Sequence, residues 1–486
     1  MAGPMSVRRS IVWAFSGQFV AFVVQFIGLI VISRLLSPRE IGIYAIAMAA
    51  LGVIQVFTTF GIASFVVREA EMPSHTLESA FTVNAILIAS LTLVLLGLSF
   101  AAGPILGAPE AGSVLRIVAI GNLFAILNFR PMAMLQREMQ FKRLSMITVA
   151  NVSMQTIATI GFALAGASYM SSAYASVLAA MTTAVMTFAF GRRHVGFGMS
   201  PAGWRPITTF GLQMMSVSGV ALLTGRLSDL LLGRMLGVTS LGLYGRASQL
   251  SAIIFDNLYG TATRVVFVQL SKDYREDGDW RGTYLRSFAM ITAFMWPFLI
   301  GLAILSRPAI YLLYGEEWLP AALPLSALMI AQFIGVAFGM NWELFVLRGE
   351  TGRQARYEVA RLVFGVPIFV VGCLFGIVAA AIAKIFDALI GLVLYYPHVR
   401  RLAELDASAI PRVYRDSAIL TVAAVLPAAI AMIVYRASPY TPISVVVGVV
   451  LAGIALWLGV IVATNHPLRE EMALVLRKLR RSPASS

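Results

Sequence analysis

Long apolar segments recur along the whole of this 486-residue chain, and they constrain its fold more than any motif does. Many of them are about 20 residues long, the length of a helix that crosses the hydrocarbon core of a bilayer. Only 12% of the residues are charged, against about 25% in soluble globular proteins. So few charges cannot cover a water-facing surface, and we therefore predict an all-α integral membrane protein.

Fourteen transmembrane helices fit the hydropathy of the chain best. The stretch from Leu362 to Tyr396 is too long for one helix, and we divide it at Gly376 into two spans joined by a tight turn. The predicted spans are 11–33, 41–66, 77–103, 113–135, 144–165, 169–191, 207–232, 241–268, 284–306, 320–347, 357–374, 377–397, 415–435 and 441–464.

Basic residues are distributed unevenly over the connecting loops. With the N-terminus inside, the cytoplasmic loops and both termini hold roughly 24 Lys and Arg, against about 5 on the other side. We therefore predict that both termini are cytoplasmic. The same bias accounts for the net charge of +14 without a nucleic-acid partner. The basic segment from Arg469 to Arg481 is expected either to contact anionic lipid head groups or to be a solvated tail.

A junction between two spans occurs twice, 200 residues apart, with Arg, Leu, Gly and Tyr identical in both copies. A weaker sequence similarity relates residues 135–138 to residues 347–350, which follow the fourth and tenth spans. Parallel repeats of this kind are typical of transporters whose substrate binds between two lobes. We predict two six-helix lobes, 1–200 and 201–400, followed by two further helices and a basic cytoplasmic tail in 401–486. The junctions read Arg34-Leu35-Leu36-Ser37-Pro38-Arg39-Glu40-Ile41-Gly42-Ile43-Tyr44 and Arg234-Met235-Leu236-Gly237-Val238-Thr239-Ser240-Leu241-Gly242-Leu243-Tyr244.

Two six-helix lobes with these junctions resemble the Wzx-type polysaccharide transporters of the multidrug/oligosaccharidyl-lipid/polysaccharide (MOP) exporter superfamily. The segment before span five, Gln136-Arg137-Glu138-Met139-Gln140-Phe141-Lys142-Arg143, shares in this resemblance, which covers nearly the whole chain. It implies a bacterial inner-membrane flippase that moves undecaprenyl-pyrophosphate-linked oligosaccharide repeat units to the periplasmic leaflet by alternating access. The products would be surface polysaccharides such as lipopolysaccharide or exopolysaccharide. Membrane lipids and a polysaccharide polymerase with its chain-length machinery would be partners, and we expect a monomer without a cofactor.

A sugar–pyrophosphate head group needs a polar and preferably cationic cavity, because each stripped hydroxyl costs a few kcal/mol. Span eight carries a stripe of polar residues spaced three and four apart, which places them on one helix face. Spans seven, ten and twelve add further charged residues. A charge inside the bilayer costs free energy, so such residues usually have a function. We predict that the head group binds Arg226, Arg246, Gln249, Asn257 and Lys384. The candidates for ion coupling are Asp256, Asp229, Asp387 and Glu343.

These charges also have a purely structural interpretation. Arg226 with Asp229, and Lys384 with Asp387, are i,i+3 pairs that would neutralise each other. Arg361 near a predicted cytoplasmic end would extend its side chain to the interface. The chain has one cysteine and no close pair among its four histidines, so we predict no metal site.

Two other functions fit a membrane protein of this size. A cation-coupled multidrug antiporter of the same superfamily would favour acidic residues in the first lobe, which has no obvious intramembrane acid. A membrane polysaccharide polymerase or glycosyltransferase would need a large extramembrane loop or an acidic catalytic pair. On the predicted non-cytoplasmic side the only adjacent acidic pair is Glu316 and Glu317, and adjacent side chains point in different directions. We therefore predict a transporter and not an enzyme.

Overall fold

The computed structural model describes residues 7–56, 62–68, 73–200, 202–276, 278–464 and 466–470. All regular elements in these ranges are helices, which confirms the predicted all-α fold for this part of the chain. Most of the predicted basic tail, residues 471–486, lies outside the described ranges. The α-helices are α1 (Val7–Leu35), α2 (Pro38–Val56), α3 (Ile62–Arg68), α4 (Ser74–Phe100), α5 (Ala102–Leu106), α6 (Ala111–Arg137), α7 (Phe141–Leu164), α8 (Ser171–Phe190), α9 (Trp204–Leu236), α10 (Val238–Arg275), α11 (Trp280–Ile304), α12 (Ser306–Tyr314), α13 (Ala322–Ala337), α14 (Asn341–Leu347), α15 (Thr351–Leu374), α16 (Ile377–Leu402), α17 (Ala409–Val434) and α18 (Ile443–Ala463).

Within the described ranges, eleven helical segments are long and apolar enough to cross a membrane. They correspond to all of the predicted spans except the second, seventh and eighth. Helices α9 and α10 contain several of the polar residues predicted to line a cavity. The total of fourteen spans therefore stays a prediction.

The chain divides into two compact units, Met1–Gly245 and Arg246–Ser486. In the first unit, α7 packs on α1 and α8, α6 packs on α4 and α8, and α2 packs on α9. In the second unit, α11 packs on α13 and α17, α16 packs on α13 and α15, and α18 packs on α17. Helix α9 belongs to the first unit because of its packing against α2. The lobe boundaries at residues 200 and 400 rest on the sequence repeat and stay a prediction.

The predicted division of the long apolar stretch at Gly376 is confirmed. Helix α15 ends at Leu374 and α16 begins at Ile377. Gly376 has φ +107° and ψ 179°, a backbone conformation that is essentially restricted to glycine. This residue therefore lets the chain reverse within two residues.

The predicted tenth span, 320–347, corresponds to the candidate membrane span Glu316–Leu347, but this span is not one continuous helix. Helix α13 ends at Ala337 and α14 begins at Asn341. Between them Met340 has φ +59°, in the left-handed region, which interrupts the helical hydrogen bonding. Broken helices at membrane depth are tolerated where the freed backbone groups find partners inside the protein.

Candidate functional site

The first copy of the repeated junction forms a capped helix start. The Ser37 N–H donates to the Glu40 carboxylate at 2.8 Å, and the Glu40 N–H donates to the Ser37 hydroxyl at 3.4 Å. Pro38 occupies the first helical position, so this is a capping box with a favourable first residue. The Ser168 hydroxyl donates to the same carboxylate. Glu40 therefore ties the start of α2 to the segment that precedes α8.

An ion pair lies next to this capped start. Arg39 donates to Glu110 at 2.5 Å. The backbone N–H of Glu110 and the guanidinium of Arg39 together hold the pKa of the Glu110 carboxyl below its ordinary value. The Arg39 side chain is 57% exposed, so the pair connects α2 to α6 at small energetic gain.

The two glycines at equivalent positions of the repeat lie against each other in the first unit. A Cβ built on Gly42 would overlap the carbonyl oxygen of Val238, and one built on Gly242 would overlap the carbonyl oxygen of Pro38. Each Cβ would also lie 3.1 Å from the backbone nitrogen of the other glycine. The starts of α2 and α10 therefore approach in a reciprocal arrangement that leaves no room for side chains.

Arg226 and Asp229 lie on α9, where the predicted pair is present but long. The distance between Arg226 Nη1 and Asp229 Oδ2 is 4.0 Å, and the side chains are 42% and 35% exposed. A Cβ on Gly52 of α2 would overlap the Arg226 side chain. The guanidinium therefore crosses α2 at a glycine and keeps much of its hydrogen-bonding capacity.

Arg246, at the start of the second unit, is buried, with 8% of its surface exposed. Its Nη1 donates to Gln249 Oε1 at 2.8 Å, and its guanidinium carbon lies 6.0 Å from the ring centroid of Trp318. Among the described residues, Nε of Arg246 has no hydrogen-bond partner. A buried donor without a partner costs about 1–3 kcal/mol. This buried N–H of Arg246 is therefore a donor from which an anion could accept a hydrogen bond.

Asp256 and Asn257 follow on the same helix. The Asn257 amide donates to the Ile253 carbonyl at 2.7 Å, which uses one of its donors within α10. Asp256 is exposed, and Arg264, two turns further along, lies within electrostatic range of it. These two residues are therefore accessible, and neither is brought together with Arg246.

The predicted pairing of Lys384 with Asp387 is wrong. Asp387 pairs with Arg361 of α15 at 2.9 Å, and Arg361 also lies 3.6 Å from Glu358. Lys384 instead lies over the ring of Phe369, 4.7 Å from its centroid. The expectation that Arg361 extends to the interface is wrong for the same reason, since a carboxylate on the neighbouring helix α16 holds it.

Glu343, the fourth candidate for ion coupling, lies in the first turn of α14 and is 8% exposed. Thr263 of α10 lies next to its carboxylate. The helix break before α14 places this acid beside the ends of two helical segments. Within the described ranges, no group of three His, Cys, Asp or Glu side chains is arranged to hold a metal ion.

The sequence model of the polysaccharide biosynthesis protein family matches residues 31–323 of the chain. The chain belongs to this family. It is 23% identical over 316 residues to the succinoglycan biosynthesis transport protein ExoT of Rhizobium meliloti (strain 1021), and the match spans 64% of this chain and 63% of ExoT. It is 21% identical over 381 residues to the lipopolysaccharide biosynthesis protein WzxC of Escherichia coli (strain K12), across 76% of both chains. The teichuronic acid biosynthesis protein TuaB of Bacillus subtilis (strain 168) is 25% identical over 327 residues, spanning 65% of this chain and 66% of TuaB.

Solved structures place this polysaccharide biosynthesis protein in a known transporter fold. The lipid II flippase MurJ in an inward closed conformation matches 97% of this chain and 100% of its own, with a TM-score of 0.71 at 14% identity. An inward-facing multidrug resistance MATE transporter of the MOP superfamily matches 80% of this chain and 96% of its own, with a TM-score of 0.61 at 16% identity. The chain therefore shares the fold of these two transporters, as predicted.

Sequence reasoning about this family member missed an apolar groove in the second unit. Helices α11, α17 and α18 enclose about 380 Å³. Small residues open the groove and large apolar residues form its walls. The glycines and alanines of these helices are compatible with a groove. They could not predict it, because small residues are common in membrane helices in general. The lining includes Phe294, Phe298, Gly301, Val425, Gly453 and Trp457.

Proposed function

We propose that this protein is a flippase that moves undecaprenyl-pyrophosphate-linked oligosaccharide repeat units from the cytoplasmic to the periplasmic leaflet by alternating access. The observation that carries the proposal is Arg246, a buried cation with an unpartnered Nε in a polysaccharide biosynthesis protein. Such a group attracts an anionic head group, and a pyrophosphate offers the oxygens that a guanidinium binds best.

The other predicted ligands remain candidates for contacts with the head group. Gln249 already orients Arg246 and presents an exposed amide to a sugar hydroxyl. Arg226 and Lys384 supply further positive charge, and Asn257 supplies an amide. Of the four acidic candidates for ion coupling, Asp229, Asp256 and Glu343 remain, because Asp387 pairs with Arg361.

The apolar groove of the second unit suits the polyprenyl chain. Its walls are formed by Phe298, Trp457 and other apolar side chains, so the lipid tail would stay in an apolar environment while the head group is in a polar one. With the cell interior negative, moving a charge of about −2 outward gains on the order of 4–5 kcal/mol per 100 mV. The membrane potential therefore favours the proposed direction.

The finer architecture belongs to the same proposal. Fourteen spans with both termini in the cytoplasm place the protein in the bacterial inner membrane with the basic loops inside. The protein would act as a monomeric transporter, with no catalytic step and no cofactor, and would hand its product to a polysaccharide polymerase and its chain-length machinery. Two lobes of six helices followed by two further helices complete this arrangement.

Deletion of the gene tests the proposed function. We expect loss of surface polysaccharide, together with complete lipid-linked repeat units that remain on the cytoplasmic leaflet. Normal surface polysaccharide with new sensitivity to cationic drugs would contradict the proposal. That outcome would favour a multidrug antiporter, and the MATE transporter of similar fold is a multidrug resistance transporter.

The Arg246→Ala variant tests the observation that carries the proposal. Removing a charged hydrogen-bond donor costs about 1.5–3 kcal/mol, so we expect at least a tenfold loss of polysaccharide export in a complementation assay, with normal protein levels in the membrane. Arg356→Ala is the matched control, because Arg356 is exposed and outside the proposed site. Equal complementation by the two variants would remove Arg246 from the site.

A further inference from the structure

A polar pocket lies at one end of three helices of the second unit, α11, α17 and α18. It encloses about 400 Å³, a volume in the range of small-molecule sites. The predicted spans on these helices begin at residues 284 and 415 and end at residue 464, so the pocket lies at the level of the lipid head groups. Its lining consists of Leu285, Arg286, Ala289, Arg412, Val413, Asp416, His466, Pro467 and Glu470.

A packed layer separates this polar pocket from the apolar groove of the same three helices. Ala293, Leu420 and Ile461 are buried together, and on each helix they lie between the residues of the pocket and those of the groove. The indole N–H of Trp457 donates to the Ala293 carbonyl at 2.9 Å, which ties α18 to α11 at this level. The polar pocket is therefore a site of its own and not the mouth of the groove proposed for the polyprenyl chain.

Both carboxylates of the pocket have an arginine partner. Arg286 donates to Glu470 at 2.9 Å, and Arg415, which lies beside the lining, donates to Asp416 at 2.9 Å. Each pair joins one positive and one negative charge. The two pairs are therefore neutral, and the remaining charge of the pocket is that of Arg412.

Arg412 has only neutral hydrogen-bond partners within the described ranges. Its Nε donates to the Ser408 carbonyl at 3.2 Å, and its Nη2 donates to the Ser408 hydroxyl at 2.5 Å. No ion pair in the described part of the chain includes this side chain. The guanidinium is thus held in place while its positive charge and its Nη1 hydrogens stay available to an anion.

His466 contributes a buried donor to the same pocket. Only 5% of its surface is exposed, and burial lowers its pKa below the ordinary value, which favours the neutral ring. The Leu468 N–H donates to Nδ1 at 3.3 Å, so the hydrogen of the neutral ring is on Nε2. Among the described residues, no group accepts a hydrogen bond from Nε2.

We propose that the polar pocket binds the phosphodiester head group of one anionic phospholipid. Arg412 supplies the charge and His466 supplies the Nε2–H, and both would bind phosphate oxygens. Three arginines and two carboxylates leave one positive charge, which one phosphodiester balances. Basic pockets between transmembrane helices bind anionic head groups in this way.

The apolar part of the lining distinguishes a lipid from a soluble anion. Leu285, Val413 and Pro467 line the pocket beside the charged groups, and they would contact the glycerol and the upper part of an acyl chain. The bound lipid is a resident partner and not the transported substrate, so the inference goes beyond the proposed function. The proposed orientation assigns the lipid to the cytoplasmic leaflet.

Lipid binding to the purified, delipidated full-length protein tests the pocket. Native mass spectrometry during a titration with phosphatidylglycerol measures the dissociation constant. We expect Arg412→Gln to weaken binding by at least about tenfold, because a charged hydrogen bond to the phosphate is lost. Arg356→Gln is the matched control, since Arg356 of α15 is exposed and does not line the pocket. Equal affinity in the wild type and in Arg412→Gln would overturn the proposal.

Two further variants separate a binding site from a fold defect. His466→Asn keeps a side-chain acceptor for the Leu468 N–H but removes the Nε2 donor, so we expect binding to weaken by about threefold to tenfold. Asp416→Asn removes a negative charge from the lining and should strengthen phosphatidylglycerol binding by about threefold. Misfolding would not raise affinity. Unchanged or weaker binding in Asp416→Asn would contradict the assignment of an anion to this pocket.

Inorganic phosphate distinguishes a lipid site from a site for a soluble anion. We expect millimolar phosphate to leave phosphatidylglycerol bound, because apolar contacts add to those of the phosphate group. Displacement of the lipid by inorganic phosphate would overturn the lipid assignment. Gene deletion tests the flippase function separately, so either proposal can fail alone.

Discussion

At the scale of the residue, the charges of this chain differ in how completely the fold compensates for them. Arg361 has two carboxylates within ion-pair distance, Asp387 and Glu358. Within the described ranges, Arg246 donates to a neutral amide and lies near an aromatic ring, and the Glu343 carboxylate accepts hydrogen bonds from its own backbone N–H and from the Thr263 hydroxyl. A compensated charge stabilises the fold, whereas an uncompensated one costs stability and is retained for a ligand. This difference separates the structural charges from the proposed functional ones.

The pair of Arg361 and Asp387 should therefore behave as a structural unit. We expect Asp387→Asn to destabilise the purified protein by about 1–3 kcal/mol, because it leaves a partly buried arginine with a longer and weaker contact. Arg361→Gln combined with Asp387→Asn should be more stable than Asp387→Asn alone. The midpoints of thermal unfolding for the two single variants and the double variant measure the coupling.

A control for this cycle is present on the surface of the same unit. Arg353 pairs with Glu350 at 2.6 Å, but the side chains are 38% and 28% exposed, and Arg401 also contacts Glu350. Arg353→Gln should change stability by less than about 1 kcal/mol. Additive effects of Arg361→Gln and Asp387→Asn would contradict a structural pair.

At the scale of the element, glycines decide where helices can meet or break. Gly376 reverses the chain between α15 and α16, Gly339 admits the Tyr259 hydroxyl, and Gly42 and Gly242 bring the starts of α2 and α10 into backbone contact. Gly376 permits a turn, and Gly339 leaves room for a side chain. Gly42 and Gly242, which are related by the sequence repeat, let two helix backbones approach so closely that no Cβ would fit.

The reciprocal glycine contact predicts a strong effect from the smallest substitution. In Gly42→Ala the new methyl group would overlap the Val238 carbonyl, so α2 and α10 would have to separate. We expect a loss of about 1–3 kcal/mol in stability, as for other overpacked sites, and reduced polysaccharide export. Gly245→Ala on α10 is the control, since a Cβ there meets no atom within 4 Å. A Gly42→Ala protein with wild-type thermal stability would show that this contact is dispensable.

At the scale of the whole molecule, charge on the loops sets the proposed orientation. The junction at Gly376 would face the periplasm, and the loop that contains Asp406 would face the cytoplasm. The second of these follows arginines 400 and 401, and basic loops remain in the cytoplasm. Helix α16 lies between them and is long and apolar enough to cross the membrane.

Fusions of alkaline phosphatase test this orientation. We expect an active enzyme when it is fused after Gly376 and an inactive one when it is fused after Ala407 or at the C-terminus, because the phosphatase folds only outside the cytoplasm. A fluorescent protein that matures only in the cytoplasm should give the reverse result. Activity after Ala407 would contradict the proposed topology.

Local properties of the chain were enough to predict much of this protein. Hydropathy and segment length predicted membrane helices, because both depend on consecutive residues. The division at Gly376 was also predictable, since the apolar stretch is too long for one span and glycine permits the turn. The repeated junction and its motifs indicated the family. The polar stripe of α10 followed from helical periodicity alone.

Contacts between helices distant in sequence were decided only by the tertiary structure. The i,i+3 spacing favoured Lys384 as the partner of Asp387, but packing of α15 on α16 brought Arg361 closer. Hydropathy could not show the break at residues 338–340, because the segment stays apolar while tyrosines from α10 and α17 bind its backbone. Periodicity determines which residues share a helix face, whereas the partner of that face depends on three-dimensional packing. The unpartnered Nε of Arg246 and hydroxyl of Tyr284, among the described residues, therefore become visible only in the structure.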